Sequence, residues 1–294
     1  MSTLSLFIAM KMNSLMLQSL IPFLVISSFF SINLPVTLCA DDPQYANCSQ
    51  AINCGDISNI SYPFWGVNRP NYCGQPSFKI KCQDNVPMIN MRNINFRILE
   101  MNSSSTARAV KVARNDYRGT ICPPTYVNTN VNFSLFNYGS GLQNISFYYG
   151  CNTSSNPTMV NAFVCNSSVT VSYLTQSQTS KLPYDPVVTG ACQSEVLIPV
   201  FETAALAIES NTTTIQEAID GGFVLGLKID NGPCNSCEAS GGKCGMNTSN
   251  GEFMCFCQDQ PYAASTCSSK SGSTSLSVGA SQLIALLVFL ITFL

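Results

Sequence analysis

Phe78-Lys79-Ile80-Lys81-Cys82 decides the fold. Apolar and basic residues alternate strictly there. Phe78, Ile80 and Cys82 therefore share one face of a predicted strand, and both lysines share the other. Asn93 to Leu99 repeats the pattern, with Ile94, Phe96 and Ile98 inward and Asn95 and Arg97 outward. Ala109 to Ala113 brings Val110 and Val112 together with Lys111 opposite. Asn132–Phe136, Ile145–Tyr149 and Val169–Tyr173 are further predicted strands, rich in β-branched and aromatic residues. Pro, Gly and Asn clusters separate them. If the basic strands are neighbours, Lys79, Lys81, Arg97 and Lys111 build one basic sheet face. One short helix is expected: Thr214 and Glu217 read as a capping box, and Gly221-Gly222 ends it. Phe223 to Ile229 then reads as a buried strand leading into Pro233-Cys234.

Fifteen cysteines set the compartment. Cys39 lies at the end of an apolar N-terminal leader, so fourteen remain after its removal, enough for seven bridges. Such density belongs to an oxidising, secretory environment. The fourteen fall into three groups: Cys48, Cys54, Cys73 and Cys82; then Cys122, Cys151, Cys165 and Cys192; then Cys234, Cys237, Cys244, Cys255, Cys257 and Cys267. Spacing alone does not give their connectivity.

Both ends fit that route. Lys11, the apolar stretch Leu15–Phe30 and the small residues before Cys39-Ala40 have the order of a signal peptide over residues 1–40, with a retained signal anchor as the rival. At the other end, Ser271-Gly272-Ser273, a polar or small spacer and the apolar run Leu283–Leu294 follow one another. Residues 268–294 thus have the layout of a GPI-anchor signal with lipid attachment at Ser271. Ser268 and Ser269 are alternative attachment points, and a short membrane tail is the rival reading.

Between the ends the chain is rich in Asn, Ser and Thr. Nine Asn-x-Ser/Thr sequons, at Asn47, Asn59, Asn102, Asn132, Asn144, Asn152, Asn166, Asn211 and Asn247, suggest a glycosylated surface. Near-zero net charge hides an asymmetry. From Arg69 to Arg118 there are nine bases against three acids, and from Lys181 to Asp259 three bases against ten acids. A basic N-terminal part suits an acidic partner, or pairs with the acidic half.

The chain has no histidine, which removes Ser-His and Cys-His nucleophile pairs and histidine metal sites together. No phosphate-cradling glycine loop is present. Two-carboxylate glycoside hydrolysis stays formally open, but Glu202, Glu209 and Glu217 are scattered and read as solvated. The expectation is a protein that is not an enzyme and needs no cofactor. Binding is better supported. Tyr62, Trp65 and Tyr72 lie close to Arg69, and aromatic rings beside guanidinium groups suit the faces and carboxylates of acidic sugars. The rival, favoured for Trp65, is a buried aromatic cluster packed on the bridges of Cys48 to Cys82.

The last six cysteines have gaps of two, six, ten, one and nine residues. The tail of that pattern resembles an EGF-like module, and the resemblance implies the pairs Cys234–Cys244, Cys237–Cys255 and Cys257–Cys267. Cys234-x-x-Cys237 also has zinc-ligand spacing, which an oxidising compartment disfavours, so no metal is expected. Cys48, Cys54-Gly55, Ile60-Ser61-Tyr62-Pro63-Phe64, Cys73-Gly74 and Phe78-Lys79-Ile80-Lys81-Cys82 resemble the galacturonan-binding domain of plant wall-associated receptor kinases, and more closely the leaf-rust-resistance group. Gly222-Phe223, Cys234-x-x-Cys237, Ser240-Gly241-Gly242-x-Cys244-Gly245 and Phe253-x-Cys255-x-Cys257 resemble the C-terminal wall-associated-kinase domain of the same ectodomains. The resemblance implies an extracellular module that binds pectin, a polygalacturonic acid. The family's receptors continue into a kinase, whereas this chain is expected to lack one.

The expected architecture is mainly β and disulfide-rich. It has two β-rich extracellular modules, an EGF-like six-cysteine C-terminal segment at 234–267 and one short helix. Residues 41–120 form a galacturonan-binding-like module and 121–267 a wall-associated-kinase C-terminal-like domain. The expected function is non-catalytic binding of acidic wall polysaccharide at the cell surface, beside receptor-like kinases as co-receptor or decoy, with no nucleic-acid partner. The glycan-binding candidates are Arg69, Lys79, Lys81, Arg92, Arg97 and Lys111, chosen from charge. The alternative is a protein- or peptide-recognition ectodomain without direct glycan contact.

Overall fold

The computed structural model describes residues 42–103, 108–152, 161–165, 168–263 and 265–268. The leader, Asn166, Ser271 and the apolar tail lie outside the described residues. Among the described residues, no helix is long and apolar enough to cross a membrane.

Helix α1 (Pro43–Ser49) and strands β1 (Ile52–Cys54) and β2 (Ile57–Ile60) come first, followed by a 3-10 turn at Asn71–Cys73. Strands β3 (Ile80–Gln83), β4 (Val86–Met91), β5 (Ile94–Ser103) and β6 (Arg108–Arg114) then pair antiparallel in sequence order. Two hairpins hold their register. Asp84-Asn85 and Arg92-Asn93 are two-residue loops in which all four φ angles are positive, between 48° and 68°. That backbone twist matches the twist of paired strands.

Next come β7 (Phe136–Tyr138), β8 (Leu142–Tyr149), β9 (Ala162–Cys165), β10 (Val169–Thr175), α2 (Gln176–Thr179), β11 (Ser194–Phe201), α3 (Glu202–Glu209) and α4 (Ile215–Asp220). Strand β12 (Phe223–Leu227), helix α5 (Gly232–Ala239) and strands β13 (Lys243–Met246), β14 (Phe253–Cys257) and β15 (Gln260–Ala263) complete the order. Strand β12 returns to insert between β6 and β7, so one six-stranded sheet runs β3-β4-β5-β6-β12-β7. A four-stranded sheet runs β11-β8-β10-β9, and β13-β14-β15 form a third. Gly222 makes the insertion feasible. Its φ is +64°, and a Cβ there would lie 2.2 Å from the Val112 carbonyl oxygen.

The alternation read in the sequence places the core. Ile80, Ile89 and Phe96 line up across β3, β4 and β5 and are fully buried on one face. They join Phe64, Phe78, Phe136, Phe223 and Leu225 in one cluster. Each buried side chain of this size stabilises the fold by about 1.5–3 kcal/mol. A second cluster around Tyr117, Phe147, Tyr149, Ile198 and Ile219 lies between the four-stranded sheet and helices α3 and α4.

Each cysteine group closes on itself. The pairs are Cys48–Cys73, Cys54–Cys82, Cys122–Cys165, Cys151–Cys192, Cys234–Cys244, Cys237–Cys255 and Cys257–Cys267. The last three are those the EGF-like resemblance implies. Gly242 lets them stack, because a Cβ there would sit within 2.8 Å of the Cys237, Cys255 and Cys267 sulfurs. Cys234 and Cys237 are both bridged, so neither offers a thiolate to a metal.

Three expectations change. Five α-helices stand among the described residues where one was expected. The expected one, α4, has its full Thr214–Glu217 capping box. The others span only four to eight residues, too short for a clear helical period. Within Asn132–Phe136, Phe133 to Leu135 form a turn and only Phe136 is strand, the first residue of β7. The Asn132 carboxamide oxygen accepts the Ser134 N–H at 3.2 Å, and its carbonyl accepts those of Leu135 and Phe136. Local side-chain bonding of this kind competes with the sheet ladder. Cys82 is exposed, because β3 is an edge strand.

Candidate functional site

The outer face of the six-stranded sheet divides in two. On its β3 side, Lys79 and Lys81 are both exposed and lie two residues apart on one face, about 6.6 Å of strand. The register runs Lys81–Met88–Arg97 across β3, β4 and β5. Here a cleft of about 180 Å³ opens, lined by Ser77, Lys79, Lys81, Gln83, Asn90 and Asn95 with Met88 on its apolar wall. The Asn90 side chain donates to Asn95 Oδ1 at 2.7 Å, which orients the two amides as a pair.

Trp65 stands beside this cleft. Its backbone is pinned by bonds to Phe78 and Ile80, and its indole N–H donates to the Gln75 carbonyl at 2.7 Å. The Lys79 ammonium lies 5.0 Å from the ring centroid, within cation–π range. The ring is partly exposed. Neither Lys79 nor Lys81 forms an ion pair among the described residues. Arg92 is exposed on the β4–β5 turn, just beyond the Asn90–Asn95 pair.

The other charged candidates are committed elsewhere. Arg97 bonds Asp220 of α4 at 2.5 Å, and its side chain is only 11% exposed. Lys111 pairs with Glu100 at 2.9 Å and lies 5.6 Å over the Phe201 ring. The single basic face of four residues expected from alternation is thus reduced to Lys79 and Lys81, because Asp220 of α4 takes Arg97 and Glu100 of β5 takes Lys111. Arg69 is corrected from surface cation to buried clamp. Its guanidinium donates to the carbonyls of Cys48 and Gln50, each at 2.6 Å, and of Cys73 at 2.9 Å. Burial lowers its pKa to about 10, which leaves it charged at neutral pH.

Two of the three aromatic candidates are structural. Tyr62 is buried edge-on against Phe253, and its hydroxyl accepts from Gln75 at 2.8 Å. Desolvation raises its pKa. Tyr72 packs edge-on against Phe256, and its hydroxyl accepts from the Asn47 amide at 2.7 Å. Asn47 is therefore half-buried beside the Cys48–Cys73 bridge. Asn59, Asn102, Asn144, Asn152 and Asn211 are exposed, while Asn132 and Asn247 begin turns. The acids Glu202, Glu209 and Glu217 are all exposed. Glu209 accepts bonds from the Thr175 and Ser177 hydroxyls, which hold its pKa down, and Glu217 caps α4. Sequence reading missed Ser77, Gln83, Asn90 and Asn95. Their shared cleft exists only once β3, β4 and β5 are in register.

This face lies within a matched segment. Residues 48–114 match the wall-associated receptor kinase galacturonan-binding family, and residues 150–260 match the wall-associated receptor kinase C-terminal family. The chain has a wall-associated receptor kinase type of ectodomain. It is 29% identical over 238 residues to the leaf rust 10 disease-resistance locus receptor-like protein kinase-like 2.1 of Arabidopsis thaliana, covering 78% of this chain and 36% of that protein. The 2.8 protein of the same series and organism is 28% identical over 232 residues, covering 74% of this chain and 25% of that protein. The 2.5 protein is 29% identical over 266 residues, covering 84% and 39%. The chain thus spans between a quarter and two-fifths of these relatives' lengths. No solved structure matches it. In wall-associated receptor kinases both matched segments are ectodomain modules rather than catalytic ones, and such ectodomains face the cell wall outside the cell.

Proposed function

We propose that this ectodomain binds the carboxylates of a galacturonan-type wall polysaccharide on the open β3–β5 face. The supporting observation is a pair of exposed cations, Lys79 and Lys81, in a cleft that also offers an oriented Asn90–Asn95 amide pair, with the Trp65 ring beside Lys79. The ammonium groups meet uronate carboxylates, the amides and Ser77 meet ring hydroxyls, and Trp65 meets an apolar sugar face. Arg92 extends the positive rim. No sequon falls between residues 60 and 101, the segment that supplies this face. Binding is non-catalytic in this reading, and the chain acts beside receptor-like kinases as co-receptor or decoy.

The test is binding of the secreted protein to polygalacturonate and to its methyl ester. Free polygalacturonate should bind, and affinity should fall with added salt and with esterification. Lys79→Glu with Lys81→Glu should abolish capture without changing the melting temperature. Equal binding to both polymers refutes the charge mechanism. Capture of a receptor-like kinase ectodomain without measurable glycan binding would replace it with protein recognition.

A further inference from the structure

Among the described residues, Phe133 and Tyr138 are the one ring pair in which both partners are exposed, at 51% and 37%. Their centroids lie 5.3 Å apart at 77°. Tyr138 is held from behind by Phe223 at 5.8 Å. The turn that presents Phe133 is pinned as well. The Lys228 backbone N–H donates to the Leu135 carbonyl at 2.7 Å, and its ammonium donates to the Phe133 carbonyl at 2.9 Å. Two large rings are therefore fixed at the outer edge of the six-stranded sheet, Tyr138 on the edge strand β7 and Phe133 on the turn that precedes it.

The residue that precedes Phe133 is a sequon asparagine, in Asn132-Phe133-Ser134. Its Oδ1 accepts the Ser134 N–H, which turns that oxygen toward the backbone and leaves Nδ2 on the far side of the carboxamide. Nδ2 is the atom that carries an N-linked glycan. Asn47 differs. Its Nδ2 already donates to the Tyr72 hydroxyl, beside a disulfide and against a buried wall.

We propose that Asn132 carries an N-linked glycan whose first N-acetylglucosamine packs on the Phe133–Tyr138 ring pair. Attachment forms a bond from Asn132 Nδ2 to the anomeric carbon of a lipid-pyrophosphate-linked oligosaccharide. It breaks that carbon's bond to the pyrophosphate oxygen and releases one amide proton. The apolar C–H face of the sugar then removes ring surface from water, as an aromatic partner would. The occupant is the chain's own glycan because its attachment point is the neighbouring residue. The site is independent of polysaccharide binding on the opposite, β3 edge.

Protein secreted from plant cells tests this directly. Intact glycopeptide mass spectrometry should find Asn132 occupied. Ser134→Ala removes the sequon but keeps the backbone N–H that Asn132 Oδ1 accepts. It should lower Tm by about 2–4 °C. Trimming all glycans to a single N-acetylglucosamine should leave Tm within about 1 °C of the untreated protein, since only the first sugar touches the rings. Phe133→Ala keeps the sequon and should abolish the further effect of Ser134→Ala. An unoccupied Asn132, an unchanged Tm for Ser134→Ala, or additive effects of the two substitutions would each overturn the proposal. So would a dimer of the wild-type protein that is lost with Phe133→Ala, because the rings would then seat a second copy.

Discussion

The two halves of the sheet's outer face carry the same kind of residue and meet different fates. At β3, Lys81 and the preceding Lys79 line an open cleft. On β5 and β6, Arg97 and Lys111 project equally outward, but Asp220 of α4 and Glu100 neutralise them. A cation is available to a ligand only where nothing acidic packs above it. The difference between the halves lies in acidic partners, one brought by α4 onto Arg97 and one supplied to Lys111 by the neighbouring strand β5.

Breaking that contrast gives a graded set of outcomes. The largest effect should come from Arg69, the cation withdrawn furthest from the surface. Arg69→Ala leaves the buried Cys48 and Cys73 carbonyls and the half-buried Gln50 carbonyl without their donor and should cost about 4 kcal/mol, read by chemical denaturation. Charge reversal at Lys79 and Lys81 should reduce polygalacturonate affinity at least about tenfold, or roughly 1.4 kcal/mol or more, with stability unchanged within about 0.5 kcal/mol. Arg97→Ala should do the reverse. It should cost about 2 kcal/mol of stability, since Asp220 is a third exposed, and leave affinity intact. Loss of polysaccharide binding with Arg97→Ala at full stability would erase the distinction between the halves.

The cover itself has a pH signature. Tyr117 lies in the core beneath α4, where burial pushes its phenol up to about 12. The unfolded phenol titrates near 10.0. A raised folded pKa means that the folded state holds its proton longer, so this contribution is complete below pH 10 and is lost as pH rises through 12. Tyr117 should contribute about 2 kcal/mol to the fall in stability seen by melting curves in thiol-free buffer across that window, to which the buried Tyr148 and Tyr149, also raised, add. Tyr117→Phe should lessen the fall by that share and leave the remainder. Lys111→Ala should have the smallest effect, under about 0.5 kcal/mol, because Glu100 is well exposed.

Much of this was legible in the residues. Strict alternation at Phe78–Cys82 and Asn93–Leu99 identified the buried faces, since a strand's period of two admits one solution when one side is wet. The Thr214–Glu217 capping box located α4. Other features were not legible for a common reason. The turn at Asn132 outcompeted a strand through one side-chain bond, and the helices of four to eight residues left no period to detect. Trp65 falls between the two readings weighed for it. It is anchored through its indole N–H yet open at the ring beside Lys79.

The sequence by itself determined which residues alternate, which cysteines cluster, and that the chain belongs outside the cell. Those properties follow from local spacing and from redox chemistry. Only the tertiary structure decided which outward cations stay free. Asp220 lies 123 residues from Arg97, and it reaches that side chain because β12 returns to the sheet and draws α4 across it. Local pattern sets the direction of a side chain, and what packs above it sets its charge environment.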